Sequence, residues 1–224
     1  MTPRILAVDT TTEFGSVALI EDAEVVSEIP LHAASGFAQV LFGHIERVLG
    51  DAGWTAESID CFACAAGPGS FTGVRVGIVA VKGLAEALGK RALGVSNLQA
   101  IASYGSAALR AVVLDARRGQ IFGAVYDARL ELVCPEEVAS FPAWLASLPE
   151  SGIEFVATGF DPFRTALTGT RFANAQVTEA PRALAGAVGR IAAARLAAGE
   201  TGDPAALDAN YVRRSDAELF WKDA

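Results

Sequence analysis

The apolar positions along this chain change their period several times, and each change marks an expected element. Arg4 to Asp9 is a mostly apolar run ending in the polar turn Thr10-Thr11-Thr12-Glu13. Short apolar runs bounded by small polar residues read as strands. We therefore expect a first strand there, a second over Phe14 to Ile20, and a third over Glu24 to Ile29 after the turn Glu21-Asp22-Ala23. From Gly36 to Leu49 the residues Phe37, Val40, Leu41, Ile45, Val48 and Leu49 recur at helical spacing. Gly50 to Gly53 then offers residues suited to a helix C-terminus. Cys61 to Ala66 predicts a buried strand, Thr72 to Leu88 a helix and Ala92 to Val95 a strand. Ser96-Asn97 can cap a further helix running to about Ala108.

The second half opens in the same way. Ala111 to Asp115 is an apolar strand ending in Asp, followed by the turn Ala116-Arg117-Arg118-Gly119 and strands over Gln120 to Tyr126 and Leu130 to Val133. Val8-Asp9 with Gly15-Ser16-Val17-Ala18 parallels Leu114-Asp115 with Gly123-Ala124-Val125-Tyr126. Beyond these the pattern predicts a short helix around Trp144, a strand over Glu154 to Ala157 and an alanine-rich helix from Arg182 to Ala198. That helix is punctuated by Pro181 before it and Gly199 after it. A three-strand meander followed by β–α crossovers implies a mixed sheet with helices on its faces. Two such units make an α/β, duplicated ribonuclease-H-like architecture. The expected lobes are residues 1–108 and a reduced 109–224, with a cleft between them.

Composition sharpens this picture. The chain has 224 residues, 52% apolar and 20% charged, enough for a sizeable core. Its longest apolar run, Ile59 to Ala66, is strand-sized and interrupted by Asp60, so no membrane span is expected. The N-terminus reads as an immediate strand rather than a signal peptide, which points to the cytoplasm. Three cysteines, an odd number, argue against a secreted disulfide scaffold. Cys61 and Cys64 have C-x-x-C spacing, but in a strand residues three apart face opposite ways. They are expected to be buried structural thiols. With 18 basic and 26 acidic side chains the net charge is −8. That is the wrong sign for a chain that grips RNA backbone alone.

The run Gly67-Pro68-Gly69-Ser70-Phe71-Thr72-Gly73-Val74-Arg75-Val76-Gly77 leaves a strand and enters a helix. Its glycines permit tight geometry, and Ser70 or Thr72 can cap the helix. It lacks the Lys and spacing of a P-loop, leaving a tight turn or an anion site at the helix N-terminus as alternatives. Gly73 and Gly77, one turn apart, are expected on a face where another helix could approach closely. Asp9-Thr10-Thr11-Thr12 sits where an actin-like ATPase binds phosphates, with threonines in place of the usual glycines. Asp9 could hold a metal through water or cap the turn. His32 and His44 are the only histidines, and their spacing does not make a metal site. Neither a catalytic site nor a cofactor is visible. Asp115-Ala116-Arg117-Arg118-Gly119-Gln120 and Tyr211-Val212-Arg213-Arg214 can each be ordinary surface or a contact to a partner, nucleotide or RNA phosphate.

Taken together these segments resemble the TsaB (YeaZ-type) family. The resemblance rests on Ile5 to Thr10 with Gly15 to Leu19, on Gly67 to Gly77, on Asp115 to Gly119 and on Tyr211 to Arg214. It implies an actin-like (ASKHA) fold and a non-catalytic, cytoplasmic subunit. That subunit would serve the complex that places threonylcarbamoyl on the adenosine beside the anticodon of tRNAs reading codons that begin with A. The implied partners are a TsaD-like catalytic paralogue, a TsaE-like ATPase and a second copy when the chain is alone, with tRNA met only through the complex. Pairing would use the first two helices, here through Phe37, Val40, Leu41, His44, Thr72, Gly73, Val76, Gly77 and Ala80. The competing expectation is an independent actin-like ATPase or kinase, or a glycoprotease-like enzyme.

Overall fold

The fold is built on two central strands that are apolar on both faces. In a computed structural model describing residues 3–33, 36–149 and 152–213, β1 (Ile5–Asp9) is buried along its whole length. It pairs antiparallel with β2 (Phe14–Glu21), which pairs antiparallel with β3 (Glu24–His32). On its other side β1 runs parallel to β4 (Cys61–Ala65), and β4 to β5 (Arg91–Val95). The sheet order is β3-β2-β1-β4-β5. The second sheet repeats it. There β6 (Leu109–Asp115), β7 (Gln120–Asp127), β8 (Leu132–Ser140), β9 (Ile153–Ala157) and β10 (Val177–Glu179) are ordered β10-β9-β6-β7-β8. A duplicated ribonuclease-H-like unit, the actin-like arrangement, is thus present as expected.

Residue parity decides which helices cover which face. Leu6, Val8, Val17, Leu19, Phe62 and Cys64 point to one side of the first sheet. That side is covered by α1 (Leu41–Asp51) and α2 (Phe71–Leu88). Ile5, Ala7, Ala18, Ile20, Cys61 and Ala63 point to the other side. That side is covered by α6 (Ala185–Ala197), from the far end of the chain. The reciprocal helix is α3 (Asn97–Ala102), whose Leu98, Ile101 and Ala102 pack on Val112, Leu114, Phe122 and Tyr126 of the second sheet. Each unit therefore lends its third helix to the other. The outer face of the second sheet is closed by α4 (Phe141–Ser147) and α5 (Asp161–Leu167), through Phe141, Trp144, Phe160 and Leu167 beside Phe155.

The alanine richness of α6 has a packing cause. A Cβ at Gly189 would stand 2.1 Å from Ile20 Cδ1, so the helix lies closer to the sheet than larger residues allow. No side chain of its own caps its start. Instead Ala185 N donates to Ser16 Oγ at 2.9 Å and Gly186 N to a Glu28 carboxylate oxygen at 3.0 Å. Orphan amides of a helix N-terminus are met by the sheet it covers.

Several expected bounds move, for identifiable reasons. The first helix begins at Leu41 instead of Gly36, because Gly36 has φ +97 and turns precede the helix. The helix after β5 stops at Ala102 rather than Ala108, since Glu154 takes the amides of Ser106 and Ala107 at 2.6 and 2.7 Å. Strands β3 and β8 run through Pro30 and Pro135 to His32 and Ser140. Both are edge strands, where a missing amide costs no ladder bond. The alanine-rich helix starts at Ala185, and α5 and β10 were not expected at all.

Candidate functional site

The glycine run and the threonine turn form one closed unit. Asp9, Thr10 and Thr11 are all buried. Asp9 Oδ1 accepts from Thr11 N at 2.9 Å and from Thr11 Oγ1 at 2.6 Å. Thr11 Oγ1 in turn accepts from Asn97 Nδ2, and Asn97 Oδ1 accepts from Gly67 N at 3.1 Å. Thr10 Oγ1 donates to Gly73 O at 2.8 Å, and Ser70 N to Thr11 O at 2.6 Å. Asp9 Oδ2 is buried and has no hydrogen-bond partner among the described residues. Burial therefore pushes its carboxyl above the usual range, against the opposing bonds from Thr11. Through Oδ1, Asp9 caps the turn.

The glycines are needed because the turn lies directly on the helix. A Cβ at Gly69 would stand 2.5 Å from Thr11 O, at Gly73 2.0 Å from Thr10 O, and at Gly77 2.7 Å from Thr10 Oγ1. This corrects the expected docking stripe: Gly73 and Gly77 face the chain's own β1–β2 turn. A close approach does occur at them, but the partner is intramolecular. Of the two candidate caps, Ser70 is the one used, accepting from Gly73 N.

Beside this unit lies a cleft of about 1130 Å³ lined by residues of both sheet units. Its walls include Thr10 to Glu13, Pro68 to Val76, Leu114 to Arg118 and Asn210 to Arg213. The arginine hairpin is ordered from within, with Arg117 N donating to Asp115 Oδ1 at 2.8 Å. Arg213 braces it, donating to Ala116 O at 2.8 Å and Gln120 Oε1 at 2.6 Å. Tyr211 stacks on Phe71 at 5.3 Å between ring centres, and its hydroxyl accepts from Arg75 Nε at 2.9 Å. Val212 packs against the second sheet's core, while Arg214 lies outside the described residues. Glu136 of β8 links residues of both sheet units. It accepts from Ser96 Oγ, from Tyr126 OH at 2.6 Å and from Asn210 Nδ2 at 2.6 Å.

The cysteines sit as the strand parity requires. Cys61 and Cys64 lie on opposite faces of β4, and burial pushes both thiols up to about 12. His32 is exposed and stacks on Phe14 at 4.8 Å; His44 Nδ1 is 2.8 Å from Val40 O. Among the described residues no group of three metal-ligating side chains converges, and no helix is long and apolar enough to cross a membrane.

Comparison with known proteins places this geometry. The family model that matches spans residues 23–185 and describes TsaD, a tRNA N6-adenosine threonylcarbamoyltransferase. The tRNA threonylcarbamoyladenosine biosynthesis protein TsaB of Bacillus subtilis is 30% identical over 162 residues, 70% of this chain and 71% of that protein. The TsaB protein of Escherichia coli is 37% identical over 128 residues, 55% of each. The solved structure of YeaZ from Pseudomonas aeruginosa superposes with a TM-score of 0.75 at 26% identity, covering 93% of this chain and 99% of that one. The chain belongs to the TsaB (YeaZ-type) family.

In this TsaB-family chain the residues expected to meet a partner divide by exposure. Phe37, Leu41, Gly73, Gly77 and Ala80 are buried in the chain's own core. These five contribute to the chain's own packing. Val40 and Thr72 are exposed, and His44 and Val76 are half-buried. Exposed apolar residues not singled out from sequence are Phe42, 55% exposed, and Val79, 68% exposed. For Val79 the signal was weak because α2 is apolar over much of its surface, so its period does not separate inner from outer residues. Asn97 was read only as part of a helix cap, and Glu136 was not singled out. The one available sign was a polar side chain beside an otherwise apolar helix or strand.

Proposed function

We propose that this chain is the non-catalytic dimerisation subunit of the complex that transfers threonylcarbamoyl to the adenosine beside the anticodon in tRNAs reading codons that begin with A. Its role there is to support a TsaD-like catalytic paralogue. The observation that carries this reading is the outward apolar surface of α1 and α2, with Val40, Phe42 and Val79 exposed on helices that cover the same sheet face. Exposed large apolar side chains become an association surface where they share one patch. The closed threonine turn supports it. Where an actin-like ATPase keeps room for phosphates, Thr10 and Thr11 lie against Gly69, Gly73 and Gly77.

What the chain contributes is a rigid platform. The Thr10–Gly73 and Thr11–Ser70 bonds fix α2 on β1, and Phe37 with Leu41 fixes α1. The partner then meets a surface whose ordering entropy has already been spent in folding. In this reading residues 1–108 form the partner-facing lobe and 109–224 the reduced second lobe. A second copy occupies the same face when the chain is alone, a TsaE-like ATPase joins the pair, tRNA is met through the complex, and the setting is cytoplasmic.

The test is reconstitution. A TsaD protein, a TsaE protein and the enzyme that makes threonylcarbamoyl-adenylate are combined with tRNA and ATP, with and without this chain. Modification that depends on the chain is expected. Equal modification in both mixtures would refute the reading.

A further inference from the structure

The cleft has a chemistry that the pairing role does not use. In a chain of net charge −8, Arg75, Arg117, Arg118 and Arg213 all line this one cleft. The acidic side chains on the same walls are Glu13 and Asp115. Arg75 and the side chain of Arg117 are exposed, the latter by 77%. Beside them is an aromatic pair, Phe71 and Tyr211, whose rings stack at 5.3 Å and are 43% and 46% exposed. Arg75 lies 3.7 Å over the Phe71 ring.

Guanidinium groups next to an exposed aromatic face are the combination that holds an unpaired nucleotide, with the base on the ring and its phosphates on the cations. The threonine turn argues against a mononucleotide. Where phosphates would be cradled, Thr10 and Thr11 pack closely on Gly69 and on the glycines of α2. Arg75 and Arg117 are exposed on the walls of the cleft, accessible to a polyanion lying across them. We propose that this surface is a contact for an unpaired nucleotide and flanking phosphates of RNA, with Tyr211 as stacking surface and Arg75 and Arg117 as phosphate ligands. The inference rests on the proposed function, which brings tRNA to the complex. It adds a point at which this chain itself touches the RNA, while the acidic remainder of its surface stays clear.

The measurement is the affinity of the assembled complex for tRNA across a series of salt concentrations. Wild type, Arg75→Gln/Arg117→Gln and Tyr211→Ala are compared, each first checked for assembly with the TsaD protein by size-exclusion chromatography. All three are expected to assemble. The arginine variant should bind about tenfold more weakly, with a log–log salt slope shallower by about one to two, since each lost phosphate contact removes roughly 0.7–0.9. Tyr211→Ala should weaken binding at least about fivefold with an unchanged slope, as expected for loss of a stacked base. Unchanged affinity and slope in both variants overturn the contact and leave the proposed function standing. Variants that fail to assemble make this surface a protein interface, which also overturns it. A wild-type chain that does not join the complex overturns both readings, and is seen before any variant is compared.

Discussion

Replacing Gly73 with alanine tests whether the glycine run is packed inward. The new methyl would lie 2.0 Å from the carbonyl oxygen of Thr10, a backbone atom that cannot swing aside. Real contacts of this kind do not fall below 3.0 Å, so turn and helix must part by about an ångström or more. That movement stretches the Thr10 Oγ1–Gly73 O bond of 2.8 Å and the Ser70 N–Thr11 O bond of 2.6 Å. Overpacking costs about 1–3 kcal/mol, and each weakened hydrogen bond about 1 kcal/mol. A loss near 3 kcal/mol follows, a large share of the roughly 5–15 kcal/mol typical of a folded protein. In urea unfolding the midpoint should fall by about 1 M or more. Gly83→Ala is the control on the same helix. Gly83 is exposed with nothing within 4 Å of a built Cβ, so alanine should gain up to about 1 kcal/mol from helix propensity. A Gly73→Ala protein within about 0.5 kcal/mol of wild type would refute the inward packing. So would a variant that is equally stable but no longer pairs.

Two further outcomes follow from other parts of the structure. Val79→Asp puts a charge on the 68% exposed position of α2. It should leave the urea midpoint nearly unchanged and weaken pairing with a TsaD protein about tenfold or more in a titration, as expected at the centre of an apolar interface; undiminished pairing would remove α2 from the contact. Asp9→Asn addresses the buried carboxylate. Burial raises its folded pKa above the unfolded value, so the folded state binds the proton more tightly and wild-type stability falls as pH rises from the acid range toward neutrality. Asparagine keeps the acceptor for Thr11 without the charge. Its stability relative to wild type should therefore be greater at pH 7 than near pH 4, and a pH-independent difference in urea unfolding would show that Asp9 does not titrate with folding.

The strands were readable from sequence because alternation and turn chemistry are local. Val8-Asp9 and Leu114-Asp115, each followed by a polar turn and a second strand, already announced the repeated unit. The threonine turn was legible as a place but not as a closed one. Its closure depends on Gly73 and Asn97, which lie far along the chain, and no local pattern carries the distance of a future Cβ to Thr10 O. The same limit applies to α2. The spacing of Gly73 and Gly77 correctly signals that something approaches α2 closely, but spacing cannot tell the chain's own turn from a foreign helix. The strands expected to end at Ile29 and Val133 run on past Pro30 and Pro135, which an edge strand tolerates, and edge position is a property of the assembled sheet. The short reach of α3 was likewise decided from outside, by the Glu154 carboxylate that captures the amides following it.

The exchange of third helices has a consequence for how the protein is made. The side of the first sheet formed by Ile5, Ala7, Ala18 and Ile20 is covered by α6, whose residues 185–197 leave the ribosome long after the strands they cover. Until they emerge, the nascent N-terminal half holds a sheet with one bare apolar surface, the type of intermediate that aggregates or recruits chaperones. Conversely α3, made early, waits for the second sheet before Leu98 and Ile101 find their core. Neither half can complete its interior during synthesis without the other. Translation pausing or truncation anywhere before Ala185 should therefore be felt as a defect of the N-terminal lobe, although every residue of its sheet has already been made.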